Sequence, residues 1–383
     1  MADYAPLRVL QILNHMDYGG IEAVVMNYYR FIDRSKVQFD FAVSIDSSLP
    51  QREEIEGLGG RVYLLPGISH LGRYIFTLKD IIQKNHYAIV HCHMNSLSVF
   101  PLFSAYLAGV KVRICHNHTT AHLGEGMRTA AKYALRPFCK WFATDYFACG
   151  EYAGRWMYGD KCFNAGKVYV MRNAIDIEKF GFDPAEREQI RKELGLAGKF
   201  VIGHIGRFMY QKNHDFLVDV FYEVYQRRKD AVLLLIGEGE LLGQVTEKVK
   251  GMGIGDAVIF YGSCRNTEKL YHAMDVFCLP SFYEGVPVVA IEAQGNGLPV
   301  FFSDKVSQEA RVLDGCEEIP LKMPAGIWAV RMLKCMADGM DRKKKGFLME
   351  QAGYSIGVET GKIEKYYKNK FKIQGKKCGK NKD

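Results

Sequence analysis

One regularity limits what this chain can fold into: short runs of β-branched and aromatic residues alternate with segments long enough for a helix. Strand-like runs fall at 8–13, 39–45, 61–65, 88–93, 111–116, 146–149 and 168–171, then at 200–205, 231–236, 258–261, 276–279 and 299–302. Helix-length segments lie between them, among them 20–33, 96–108, 126–143, 213–229 and 284–297. A strand reached through a helix pairs parallel with its predecessor, so the pattern predicts α/β architecture with doubly wound parallel sheets. The 383 residues hold two such series, each long enough for its own core. The reading is an N-terminal Rossmann-like domain at 1–180, a linker at 181–198, a second Rossmann-like domain at 199–350, and a C-terminal helix with a basic tail at 351–383. The break is drawn where Gly181-Phe-Asp-Pro184 interrupts the pattern and a charged segment closes on Gly195 and Gly198. Ligands of open α/β sheets bind beyond the carboxyl ends of the strands, so a cleft between the two domains is the expected site.

The net charge of +8 sits almost wholly in residues 361–383, where nine lysines face only Glu364 and Asp383. A nucleic-acid-binding body carries a larger basic excess than the near-neutral remainder, so no nucleic-acid partner is expected. The tail reads as a solvated end, with an anionic membrane surface as the sharper alternative. None of the ten cysteines forms a Cys-x-x-Cys pair, and several lie in apolar runs such as 147–149 and 276–279. That pattern removes support for zinc ribbons and thioredoxin-like chemistry and suits a reducing compartment. The sequence offers no secretory leader pattern and no uninterrupted apolar stretch of about 18 residues. The expectation is a cytoplasmic protein, peripheral on the inner face of the cell membrane if it meets a membrane at all.

Three places carry chemistry. Asp17-Tyr-Gly19-Gly20-Ile-Glu22 follows the first strand and opens a helix; paired glycines there let backbone approach a phosphate at a helix N-terminus, or simply make a tight turn. It is not a Gly-x-Gly-x-x-Gly fingerprint. Gly206-Arg207 with Lys212 follows the strand at 200–205, and two cations at a strand's carboxyl end can clamp a diphosphate or stand solvated. Most specific is the segment from Pro280 to Glu292, with Glu284 at the carboxyl end of the strand at 276–279 and Glu292, separated from it by seven residues, inside an apolar run. A helix starting near Pro287 puts Glu292 in its second turn. Carboxylates accept from vicinal hydroxyls of a sugar or ribose, and a glutamate among apolar neighbours is costly without a partner.

Gly19-Gly20, Gly206-Arg207 with Lys212-Asn213, Gly237-Glu-Gly239 and Glu284-x7-Glu292, in this order and spacing, resemble glycosyltransferase family 4, retaining enzymes of the GT-B architecture. The likeness covers roughly residues 7–302. The phrase Arg113-Ile-Cys-His116-Asn-His118-Thr and the run after Phe302 resemble bacterial exopolysaccharide and capsule glycosyltransferases. The resemblance implies two Rossmann-like domains facing across a cleft and transfer of a hexosyl sugar from a nucleotide-diphosphate sugar, UDP being the expected base, to a glycan or polyprenyl-linked acceptor. It implies Arg207, Lys212, Gly19 and Gly20 at the donor diphosphate. Glu284 would hold the donor sugar with backbone groups of Gly285, Val286 and Val288, and Glu292 the ribose. The family histidine near the donor sugar is assigned to His118 rather than His116, and His93 to a structural or acceptor-side role. The chain departs from the family at Ala174, where glycine is usual, and lacks a glycine pair near 305–310.

No Asp-x-Asp occurs anywhere, so no metal and no cofactor are expected, and Arg207, Lys212 and helix dipoles would neutralise the leaving group. The resemblance implies front-face attack, the departing β-phosphate oxygen taking the acceptor's proton. The alternatives weighed are a nucleotide-sugar epimerase or hydrolase of the same architecture, and a non-catalytic binding subunit. One further expectation concerns 126–143. Arg128, Lys132, Arg136 and Lys140 recur every fourth residue, with Tyr133, Phe138, Trp141 and Phe142 between them. Like charges so spaced repel, and an anionic membrane surface would relieve that; a solvated stripe broken by Pro137 is the plain alternative.

Overall fold

The computed structural model describes residues 5–120, 127–264, 266–335 and 342–379, without the side chains of 127, 128 and 374–379. The chain divides into two compact units, Met1–Ala174 with Ile356–Asp383, and Ile175–Ser355.

The first unit is a seven-stranded parallel sheet in the order β3-β2-β1-β4-β5-β6-β7. Its strands are β1 (Leu7–Ile12), β2 (Val37–Ser44), β3 (Val62–Leu65), β4 (Ile89–Cys92), β5 (Val112–Asn117), β6 (Asp145–Ala148) and β7 (Val168–Val170). The intervening helices are α1 (Gly20–Phe31), α2 (Arg52–Gly57), α3 (Leu71–Lys84), α4 (Val99–Leu107), α5 (Met127–Phe142), α6 (Glu151–Tyr158) and α7 (Asp160–Asn164). Every residue of β2 is buried, as a strand covered by helices on both faces requires. In α1 the buried stripe of Val24, Val25, Tyr28 and Tyr29 follows the helical period.

The second unit opens with α8 (Ile177–Phe180) and α9 (Pro184–Glu193) and builds a six-stranded parallel sheet, β10-β9-β8-β11-β12-β13. Its strands are β8 (Phe200–Ile205), β9 (Ala231–Ile236), β10 (Val258–Gly262), β11 (Val276–Leu279), β12 (Val300–Ser303) and β13 (Cys316–Ile319). Its helices are α10 (His214–Arg227), α11 (Leu242–Gly251), α12 (Thr267–Ala273), α13 (Val288–Gly295), α14 (Ala325–Cys335) and α15 (Lys345–Gln351). Phe200, Leu217, Phe221, Leu233 and the fully buried Trp328 centre its core. Both sheets reverse strand order once, between β1 and β4 and between β8 and β11, the points where such sheets open a binding crevice.

The unit boundary is a correction to the reading of 1–180 and a linker at 181–198. The division falls at 174/175, and 181–198 is an integral part of the second unit. Asp183 caps α9 by accepting from Ala185 N and Glu186 N. Arg187 and Arg191 of that helix then both pair with Asp275, at 2.5 and 3.3 Å. A second correction concerns the tail. The last helix, α16 (Ile356–Gly379), returns to the first unit, where Tyr366 donates to Asp145 Oδ1 at 2.6 Å, Lys370 pairs with the same carboxylate and Tyr367 is fully buried. Its described part is a docked element and not merely a solvated end.

Candidate functional site

The site-forming loops of the second unit leave β8 and β11, the two strands at its order reversal. After β8 come Gly206, Arg207 and a short 3-10 turn over Tyr210–Lys212; Asn213 then takes a left-handed conformation (φ 55°) and starts α10. After β11 come Ser281 to Pro287, and α13 begins at Val288. The two loops are laced together: Phe282 N donates to Gln211 O at 2.8 Å, Gln211 Nε2 to Tyr283 O at 2.9 Å, and Asn213 Nδ2 to Pro280 O at 3.1 Å. Tyr210 and Phe282 stack above this lacing with ring centroids 4.6 Å apart.

Lys212 and Glu284 are brought together. Their ion pair spans 2.6 Å, both side chains being largely buried, and Ser281 Oγ donates to the same Glu284 Oε1 at 3.3 Å. Backbone bonds to Lys305 O and from Ser307 N hold Glu284 in place. Arg207 is exposed and forms no ion pair among the described residues. The glycine of Gly237-Glu-Gly239 nearest this site is required by contact, since a Cβ at Gly237 (φ +137°) would lie 2.2 Å from Gly206 O.

Glu292 lies in the second turn of α13, as expected, and is buried. Its partner is Tyr271 Oη, donating at 2.7 Å, and burial raises the carboxyl to about 7. Gly285, Val286 and Val288 form the buried approach to α13 and its first turn.

In the first unit Gly19, itself without a side chain to cap the helix, is the N-cap of α1, and Gly20 opens it. A Cβ at Gly19 would meet the Glu22 carboxylate at 2.3 Å, whereas Gly20 faces open space. His118 follows β5 and is buried, its backbone N–H donating to Asn95 Oδ1 at 2.8 Å. It belongs to a group that residue types alone do not show. Gln11 pairs in register with His91, and His91 with Ile114; side chains alternate faces along a strand, so Gln11, His91, His93, His116 and His118 share one face. His91 Nε2 and His116 Nδ1 are 3.1 Å apart, His93 Nδ1 and His118 Nε2 2.9 Å, and His93 Nε2 and Gln11 Oε1 2.9 Å. Tyr367 of α16 closes the group, 2.6 Å from His91 Nδ1. Burial holds His91, His93 and His116 well below the usual histidine range and pushes His118 down to about 3. The four imidazoles are therefore neutral. His91, His93 and His116 offer ring nitrogens within 4.8 Å of one another. A metal needs each lone pair in its ring plane aimed at one point, but His91 and His93 stack at 4.2 Å with planes 24° apart, and all but His116 Nε2 of these six nitrogens are already in hydrogen-bonding contact. The group reads as a packed network.

Helix α5 departs from the expected free basic stripe. Arg136 Nη1 donates to Trp156 O and Lys140 Nζ to Tyr158 O, each at 2.7 Å, so the last carbonyls of α6 relieve these two charges. The side chain of Arg128 lies outside the described residues. Trp141 remains 71% exposed beside exposed Phe138 and Tyr133.

Sequence reasoning passed over Tyr271, Gln211, Gln11 and His91. Nothing in 267–273 marks Tyr271 as a partner of Glu292, while the two His-x-His pairs on neighbouring strands are a signal that alternation could have exposed.

Two parallel doubly wound units, each sending loops from its order reversal, define the class: a two-domain protein of GT-B type. Comparisons with known proteins agree. The family description "Glycosyltransferase Family 4" matches residues 18–179, and "Glycosyl transferases group 1" matches 186–315. The chain is 34% identical over 371 residues to the putative glycosyltransferase EpsF of Bacillus subtilis, covering 94% of this chain and 96% of that one. It is 25% identical over 307 residues to the UDP-Gal:alpha-D-GlcNAc-diphosphoundecaprenol alpha-1,3-galactosyltransferase of Escherichia coli, covering 75% and 76%. In fold it resembles the Anabaena Alr3699/HepE crystal structure in complex with UDP-glucose, with a TM-score of 0.77 at 17% identity over 94% of this chain and 99% of that one. The chain belongs to the family 4 glycosyltransferases and is a hexosyl-transferring enzyme.

Proposed function

We propose that this chain moves a hexosyl unit, with retention and without a bound metal, from a UDP-sugar to a lipid-linked exopolysaccharide or capsule glycan. The observation that carries the reading is the Lys212–Glu284 pair at the order reversal of the second sheet. A cation for a diphosphate and a carboxylate for sugar hydroxyls stand side by side there. Arg207 and Lys212 stabilise the charge that develops on the leaving diphosphate, with the start of α1 at Gly19 and Gly20 adding a positive dipole end. Glu284 accepts from the donor sugar's hydroxyls, helped by the backbone at Gly285, Val286 and Val288, and Glu292 accepts from the ribose. His118 meets the donor sugar as the family resemblance implies. The departing β-phosphate oxygen takes the acceptor's proton, so no protein nucleophile is required. The UDP-sugar and diphosphoundecaprenol in the name of the Escherichia coli relative and the UDP-glucose of the Anabaena structure favour this donor and acceptor chemistry. The absence of Asp-x-Asp favours metal independence.

The test is a thermal-shift panel of UDP-, GDP- and ADP-sugars with and without EDTA, followed by product stereochemistry. A ligand at 100 times its dissociation constant adds about 2.7 kcal/mol to the folded state. Stabilisation by UDP-sugars alone, surviving EDTA, is expected. Glu284→Gln should keep the fold and lower kcat by about 10²–10³. An EDTA-sensitive shift, or an inverted product, would overturn the reading.

A further inference from the structure

The histidine network of the first unit has a direction. Gln11 Oε1 lies 2.9 Å from His93 Nε2, and an amide oxygen can only accept. His93 therefore carries its proton on Nε2. A neutral imidazole has one N–H, so His93 Nδ1 is bare and must accept across the 2.9 Å contact to His118 Nε2. His118 then holds its own single proton on Nε2, which leaves Nδ1 a bare lone pair.

We propose that Gln11 is a positioning residue which, acting through His93, fixes the tautomer of His118 so that this histidine offers substrate an acceptor and no donor. The proposal rests on the reading that His118 meets the donor sugar.

The sense of the chain depends on one amide orientation. Turned over, the Gln11 amide would donate to His93 Nε2. His93 Nδ1–H would then donate to His118 Nε2, and His118 would present N–H at Nδ1. The structure sets Gln11 Oε1, not Nε2, against His93 Nε2 and leaves Gln11 Nε2 buried without a hydrogen-bond partner, so the tautomer of His118 is the quantity to read. The Tyr367 hydroxyl meets the second pair of the cluster, His91 with His116. The arrangement also sets what His118 can do: held neutral, it accepts from a sugar hydroxyl and orients it, but it cannot protonate a leaving group. That agrees with a scheme in which the phosphate oxygen takes the acceptor's proton.

The experiment reads tautomers directly. Long-range ¹H–¹⁵N correlation spectra of the ¹⁵N-labelled full chain distinguish a protonated from a bare ring nitrogen, with His118 assigned by comparison with His118→Gln. In the unaltered protein His118 should show a protonated Nε2 and a bare Nδ1. In Gln11→Met, and in Gln11→Asn, whose amide is withdrawn by one methylene, His118 should become a tautomer mixture, and kcat should fall on the order of 10-fold with the donor KM unchanged. A protonated Nδ1 in the unaltered protein overturns the assignment without any variant. An unchanged His118 signature in a folded Gln11 variant overturns the role of Gln11. The spectra need no turnover: if the enzyme moves no sugar, the functional reading fails while the tautomer result stands.

Discussion

At Glu292 a carboxylate is enclosed by its own helix and met by the Tyr271 hydroxyl. Held at about 7 by burial, it keeps its proton in the folded chain over a range where the unfolded chain has lost it. The folded state binds more protons between about pH 4.5 and 7, so the stability from this group is present at the acid end and is lost as pH rises through that window. The span corresponds to roughly 3 kcal/mol. Glu292→Gln should flatten this part of the pH–stability curve, measured by urea unfolding in the ligand-free protein. If a ribose hydroxyl donates to the ionised form, nucleotide binding near pH 6.5 should release a proton, which calorimetry in buffers of different ionisation enthalpy will show. Gly237 makes a steric demand instead. A methyl group 2.2 Å from Gly206 O cannot be seated without moving the loop that carries Arg207. Gly237→Ala should cost about 3 kcal/mol or more and weaken nucleotide binding together with stability. Glu284 and Glu292 stood out in the sequence because a carboxylate beside or within an apolar run needs a partner, and each has one, Lys212 and Tyr271. Tyr271 was not, since a buried tyrosine is ordinary and its partner lies 21 positions away.

Among elements, strands bounded by turn residues were the most legible. β8, β9 and β11 begin and end where the apolar runs do. β13 escaped notice because its sequence, Cys-Glu-Glu-Ile, has little strand character; it forms by pairing with β12 at the sheet's edge, a tertiary gain that propensity does not report. Helix α5 was located but its charges were misjudged. A repeat of four bases looks free on paper, yet Arg136 and Lys140 are hydrogen-bonded to the end of α6. Exchanging all four for glutamine would therefore confuse membrane binding with stability, each lost bond costing about 1 kcal/mol. Trp141→Ser is the cleaner test, because the ring is largely exposed. It should lower retention on vesicles of anionic phospholipid several-fold with Tm unchanged; equal retention would leave α5 an ordinary surface helix.

For the whole molecule, doubly wound parallel sheets could be inferred from alternation alone, because few topologies bury strands that are apolar throughout. The division into units could not. It is set by which helix packs on which sheet, and the basic composition of 361–383 hides the buried side of α16, where Tyr367 meets Phe39 and His91. Removing residues 356–383 should therefore damage the first unit selectively. Limited proteolysis should cut within 1–174 while 175–355 resists, and UDP-sugar binding by the second unit should persist. The same feature bears on synthesis. The ribosome delivers residues 1–174 first, but the helix that meets their histidine cluster emerges only after the whole of the second unit. The second unit, made of one continuous stretch, has every residue it needs before the first does. The second half of the chain can thus settle before its opening half does, and a stall near residue 355 would leave the first unit without the helix that covers its sheet.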